Sequence, residues 1–371
     1  MDPITHTFTG AALAAAGLRR ATPLATAALV IGANAPDIDV LASFAGSYTA
    51  LALRRGWTHG VLALVVLPFV VAGAVLLWDR LRPVRAGREP ARAGPLLALA
   101  TLAVITHPTL DWLNNYGMRW LMPFDGRWFY GDALFIIDPW VWLVLGGVLF
   151  LGGSRTPWAL ALWAVYWLLG TWLLFSVPLV PAASRALWAV TVAALFAVRL
   201  FRAAAIHPPD PEKLARIALG CVIAYMATAV VASAVARREV RATLADLGIG
   251  RVTDVMVGPT AANPFAGAVV VVTPEWYHLG EWRWFARPRL RLNPQPIERR
   301  ANDPRTAAAS RTPAARDYLT WSRYPYFEIE PAGDGEDGYI VRLRDARYRG
   351  LGLEGPDVRL DRNLEASAVT E

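Results

Sequence analysis

Cysteine and lysine are almost missing from this sequence: 371 residues contain one of each, Cys221 and Lys213. A lone cysteine inside an apolar run excludes a disulfide framework and a cysteine-based zinc site, and leaves the redox compartment unmarked. Charge is scarce as well. Asp, Glu, Lys and Arg make up 18% of the chain and hydrophobic residues 55%, whereas soluble domains carry about 25% charge. Those proportions argue against a soluble single-domain enzyme and, with so much apolar surface to bury, against disorder. A basic region ahead of the first apolar stretch is lacking too, so no cleavable signal peptide is expected. So are a Gly-x-Ser-x-Gly elbow, a His-Glu-x-x-His helix and a phosphate-cradling glycine loop. Acyl transfer through a side-chain nucleophile is thereby disfavoured, and metal-activated water remains.

What the sequence has is apolar length. Segments recur at roughly 6–18, 22–35, 60–79, 94–116, 134–152, 156–176, 185–203 and 214–236. Most of the last six approach the ~20 residues that cross a ~30 Å hydrocarbon layer. The first two are short and rich in Ala and Gly, as in partial spans or tightly packed helices. Residues 1–236 hold 17 basic and 11 acidic side chains, and residues 237–371 hold 20 and 19. The basic excess therefore lies between apolar segments, where it sets membrane orientation, and no nucleic-acid partner is expected. With the loop 80–92 (Arg80, Arg82, Arg85, Arg88, Arg92) cytoplasmic, alternation puts 12 basic residues on that side and 5 on the other, with both termini outside.

After Arg237-Arg238 the texture changes. Val252 to Val257, Ala268 to Thr273, Tyr326 to Ile329 and Tyr339 to Leu343 read as strands punctuated by Gly and Pro. The fold predicted is an α-helical polytopic membrane protein of about six to eight segments with a small β-rich C-terminal domain. The domains are expected at 1–238, 239–354 (extracytoplasmic) and 355–371 (a flexible tail), with 291–316 a long surface loop.

Three of the five histidines lie in the membrane half beside acidic residues: His6 after Asp2, His59 after Arg54-Arg55, and His107 before Asp111. His107 and Asp111 are four apart, so on a helix both project from one face and can grip one divalent cation. Asp37 and Asp39 flank Ile38 and can turn towards one centre, and Asp132 and Asp138 flank the start of the next span. Ionisable groups at membrane depth are costly and usually functional or paired. In the eight-segment topology His6, Asp37, Asp39, His59, His107, Asp111 and Asp138 all fall towards the outer ends of their segments. Bland readings stand beside this one. Asp138 before Pro139, like Asp37 after Pro36, also fits a helix cap. His207 and His278 read as surface or packing residues.

The blocks Asp2 to His6, Pro36-Asp37-Ile38-Asp39, Arg55 to His59 and Thr106-His107-Pro108 through Asp111 resemble the YdjM-type family of inner-membrane, metal-dependent hydrolases, which is LexA-regulated in some bacteria. The run Trp128 through Trp140 fits its longer members. The resemblance covers about residues 1–240 and implies a multi-pass bacterial inner-membrane protein. The order His, Pro-Asp, His, His-x-x-x-Asp is also similar, more weakly, to helical zinc-dependent phospholipase C enzymes. That similarity implies His6, Asp37, His59, His107 and Asp111 as ligands of one to three zinc ions, with Asp39 or Asp138 adjoining or completing the cluster. The function expected is hydrolysis by metal-activated water of a lipid or phosphoester at the outer membrane face, with membrane lipids as partners. Zinc suits imidazole ligands, though mixed His and carboxylate sites also accept manganese or iron. Asp39 or Asp138 would act as base, and Arg119 and Arg127 would hold a phosphate. Two other readings stay open: an ion- or proton-coupled transporter, or a membrane anchor presenting a β-rich binding domain.

Overall fold

Asp-Pro pairs open two of the apolar helices. In α1 (Pro3–Ala15) the Asp2 carboxylate accepts from the backbone nitrogens of Ile4 and Thr5; aspartate satisfies the orphan first-turn donors, and proline lacks one to satisfy. The same device recurs where Asp138 caps α6 (Pro139–Gly153). The computed structural model describes residues 1–82, 89–204, 210–333, 337–350 and 352–370, so Arg85, Arg88 and His207 lie outside the described residues. Between α1 and α6 come α2 (Ala25–Asn34), continued by a 3-10 segment Ala35–Ala45, then α3 (Ser47–Leu53), α4 (Val61–Leu81) and α5 (Ala93–Trp112). After α6, whose middle turn Trp142–Gly146 is a π-helix, follow α7 (Pro157–Ser176), α8 (Ala182–Ala204) and α9 (Pro211–Asp246). Among the described residues, six helical segments are long and apolar enough to cross a membrane: Ala25–Ala45, α4, α5, α7, most of α8, and α9. Twenty helical residues rise ~30 Å, the thickness of the hydrocarbon layer.

The chain divides into two units. The first comprises Met1–Ile38, Arg55–Ala232 and Pro259–Pro264; the second comprises Asp39–Arg54, Ser233–Gly258 and Phe265–Glu371. This departs from the expected cut after residue 238, because the segment 39–54 and a short turn at 259–264 change sides.

In the first unit, glycines let α1, α2 and α5 approach closely. A Cβ on Gly10 would lie 2.6 Å from the Leu29 carbonyl oxygen, and one on Gly32 would lie 2.9 Å from the Ala103 Cβ. Small residues at such contacts let membrane helices pack backbone to backbone. The outward faces of α4, α7 and α8 expose Phe69, Leu168, Trp172 and Val190, as lipid contact requires. One end of this unit gathers basic residues: Arg20 and Arg216 both pair with Glu212, the Arg92 backbone nitrogen donates to Thr22, and Arg199 Nε donates to Ser154 Oγ at 2.9 Å. The opposite end gathers the start of α1, the end of α5 and the start of α6. There Gly131 N donates to the Trp112 carbonyl at 2.7 Å, Trp142 Nε1 donates to Asp2, and Phe135 packs with Val177 and Val180 between α7 and α8.

The second unit holds two antiparallel sheets. In the first, β1 (Asp254–Thr260), β2 (Asn263–Val272), β3 (Trp276–Arg283) and β4 (Leu290–Leu292) are neighbours in that order, and β5 (Ile297–Glu298) pairs with β3. Side chains alternate along β2: Val269 and Val271 face Ala236, Val240 and Leu244 of α9, while Val270 and Val272 face Tyr277, Tyr324 and Tyr326. Covering both faces explains the uninterrupted apolar run at 268–272.

The second sheet is β6 (Pro325–Pro331), β7 (Tyr339–Asp345), β8 (Asp357–Leu360) and β9 (Ala366–Thr370). The expected tail therefore supplies two strands: Asp357 pairs with Arg342 and Thr370 with Asp357 in the ladder. The expected loop at 291–316 is likewise ordered, holding β5, α10 (Pro304–Ala309) and the start of α11 (Pro313–Trp321). Segment 39–54 joins this unit because Tyr48 meets Tyr318 edge to face and Thr49 Oγ1 donates to Asp317 at 2.7 Å.

Candidate metal centre

Four donor atoms meet at the end of the helical unit opposite the basic cluster. His107 and Asp111 lie on the last turns of α5, Asp37 lies in the 3-10 segment after α2, and His59 lies in the turn before α4. That turn is tight: the Gly56 carbonyl accepts from both His59 N and Gly60 N. His59 Nε2 is 3.1 Å from His107 Nε2, 3.3 Å from Asp111 Oδ2 and 3.9 Å from Asp37 Oδ1. His107 Nε2 is 3.6 Å from Asp111 Oδ2 and 3.7 Å from Asp37 Oδ1. All four atoms lie within 4.8 Å of one another, and a metal ion can be held among them.

Two observations test whether these residues suit a metal. Tetrahedral bonds of ~2.1 Å to nitrogen and oxygen place the ligand atoms ~3.4 Å apart, the middle of the 3.1–3.9 Å observed. The second is the direction of a lone pair. His107 Nδ1 lies 2.6 Å from the Ala33 carbonyl oxygen, which can only accept. The proton is therefore on Nδ1, and the Nε2 lone pair points at the other three donors, the arrangement that orients metal-binding histidines. His59 Nδ1 is braced by the Thr58 hydroxyl at 2.9 Å. The residues fit a divalent ion.

Around them sits a buried polar shell. His6 stacks on His107 with ring centroids 3.7 Å apart. Neither His6 nitrogen has a hydrogen-bond partner among the described residues, and Nε2 is 3.4 Å from Asp111 Oδ1. The α-amine of Met1 also contacts Asp111. Arg55 Nε lies 2.9 Å from Asp111 Oδ2, while its Nη1 donates to Asn114 Oδ1 and the Gly117 carbonyl.

The expected site is thus brought together in part. Asp37, His59, His107 and Asp111 form the group, and His6 adjoins it. Asp138, expected as a base, instead caps α6 through Trp140 N and Val141 N and accepts from the Tyr225 hydroxyl at 2.9 Å; both of its oxygens are engaged by these donors. Asp39 is outside the group and approaches Arg54 Nε at 3.7 Å. Arg127, expected on a phosphate, is exposed and pairs with Asp125. Arg119 is buried with its guanidinium over the Trp128 ring, 4.8 Å from the centroid. Arg55 stands in the Arg55-to-His59 block of the sequence without an assigned role, and Asn114 was not singled out. The only available signal was a second arginine beside His59, and the charge tally absorbed it.

Comparison with known proteins places this site in a family context. Residues 1–180 match the model of a family described as YdjM inner membrane protein, a span that contains every member of the metal group. A stretch of 167 residues is 25% identical to the uncharacterized protein YfhP of Bacillus subtilis (strain 168), covering 42% of this chain and 48% of that protein. The chain thus spans about half the length of the curated relative it matches. No solved structure matches it.

Proposed function

We propose that this membrane protein is a metal-dependent hydrolase of the bacterial inner membrane, acting on a phosphoester. The observation that carries the reading is the convergence of Asp37, His59, His107 and Asp111 within 4.8 Å of one another at one end of a helical membrane unit. A divalent ion there would supply Lewis acidity and a more acidic water, and a set of two imidazoles and two carboxylates favours zinc.

The chain's own residues supply the rest. The Ala33 carbonyl holds the His107 ring, and Arg55 holds Asp111. His6 Nε2, buried and without a hydrogen-bond partner among the described residues, would take a proton from water. The buried guanidinium of Arg119 favours an anionic group over a neutral one, which supports a phosphate ester. The site end is the extracytoplasmic one in this reading, because the arginines gather at the other end and basic residues favour the cytoplasm.

The test is turnover. Detergent-purified protein stripped by chelator and reloaded with zinc or manganese is expected to hydrolyse p-nitrophenyl phosphodiesters or a fluorogenic phospholipid, and His107→Ala is not. Fully metal-loaded protein that cleaves neither these nor carboxyl esters would overturn the hydrolase reading.

A further inference from the structure

Two phenylalanines in the second unit are exposed where burial would be expected. Phe265, at the start of β2, is 56% exposed and Phe285, just past β3, is 83% exposed. They are not scattered. Trp284 N donates to the Phe265 carbonyl, and the two phenyl rings lie 5.3 Å apart. A paired aromatic patch costs more apolar exposure than single surface residues do, and such patches mark interaction sites.

The charge around the pair is predominantly positive. Residues 281–292 hold four arginines and one acidic residue, Glu281. Arg283 pairs with Glu281, and Arg289 pairs with Glu239. Arg287 and Arg291 are exposed and have no acidic partner among the described residues. Aromatic side chains flanked by arginine are the composition of segments that lie in a membrane interface, the rings among headgroups and acyl ends and the cations on anionic lipid.

Chain continuity sets the depth. Ala261 and Ala262, in the turn before β2, pack with Val177 and Val180, the connector between the membrane-crossing helices α7 and α8. A connector between successive spans lies at the membrane surface. Phe265 follows Ala262 by three residues, so its Cα is within ~11 Å of that level.

We infer that Phe265 and Phe285, with Arg287 and Arg291, form a membrane-surface anchor that seats in the headgroup layer of an anionic bilayer. The occupant is lipid, chosen by the positive rim and by the adjoining span connector. The anchor is independent of the metal centre.

The experiment uses the full chain with Cys221→Ala and Phe285→Cys, the new thiol carrying an environment-sensitive fluorophore. It is reconstituted in phosphatidylcholine vesicles containing phosphatidylglycerol. A nitroxide on the lipid is expected to quench the label strongly while aqueous iodide quenches it several-fold less. Arg287→Glu with Arg291→Glu should reverse that balance. Strong iodide quenching without nitroxide quenching would place the patch in water and overturn the proposal. Protection from both quenchers would show protein covering the patch and overturn it equally. Nitroxide quenching unaltered by the charge reversal would remove the arginines from the anchor.

Discussion

Replacing His107 by alanine removes one of four converging donors and the bond that Nδ1 makes to the Ala33 carbonyl. Structural zinc sites bind with about 10–16 kcal/mol. Shared over four ligands, that is about 3 kcal/mol each, or roughly two orders of magnitude in affinity at 1.4 kcal/mol per decade. Asp37→Asn should weaken binding to a similar degree without emptying the core, since Asp37 is only partly buried. Asp111→Asn is a harsher change. It leaves the Arg55 guanidinium buried beside a neutral amide, and losing one partner of a buried pair costs about 3–5 kcal/mol, so yield should fall along with metal. Metal content by elemental analysis and affinity by titration after chelator stripping provide the readout. Asp138→Ala is the informative control: loss of a helix cap costs about 1–2 kcal/mol of stability, while bound metal should stay at the wild-type level. His278→Ala, in β3, should also leave metal unchanged. Full metal occupancy in both His107→Ala and Asp37→Asn would refute the assignment of the centre.

Acid should loosen the second unit through Asp345. Burial alone would raise this carboxyl, but the Arg347 charge and the hydrogen bonds from Arg347 and Ser322 outweigh it and hold it below its ordinary value. Its stabilisation is therefore present above the unfolded pKa of ~4 and is lost as pH falls through the lower folded value. Hydrogen exchange along β6 and β7 should accelerate in that window, and Asp345→Asn should exchange faster at neutral pH with little further acid response; an unchanged acid response in the variant would contradict this. For orientation, reporter fusions after Ser154 and after Ala301 should read inside and outside respectively, and an inside reading at Ala301 would reverse the site's side.

The long apolar helices and their order were legible in the sequence because apolar length and capping are local properties. Asp2-Pro3 and Asp138-Pro139 start helices through contacts made within three residues. The same holds for His107 and Asp111, whose shared face follows from helical spacing alone. The β-runs at 252–257 and 268–273, which overlap the strands β1 and β2, were visible for the same reason, through their Val-rich texture between Gly and Pro.

Tertiary structure decided which polar groups meet. Asp138 and Asp37 look alike in sequence, each an aspartate next to proline at a segment end. One is consumed by a helix terminus and Tyr225, the other faces two histidines. The difference arises because Gly10 and Gly32 let α1 and α5 close on α2, bringing residues some 30 to 100 positions apart within hydrogen-bond range. Arg55 enters the site through that packing, with Asp111 as its partner across 56 residues. The strands at 357–360 and 366–370 had no strong local signal, since they are held by ladder bonds to β7 and to each other. Local chemistry set what each segment is. Long-range packing set which side chains share one buried centre, because that depends on distances no single segment encodes.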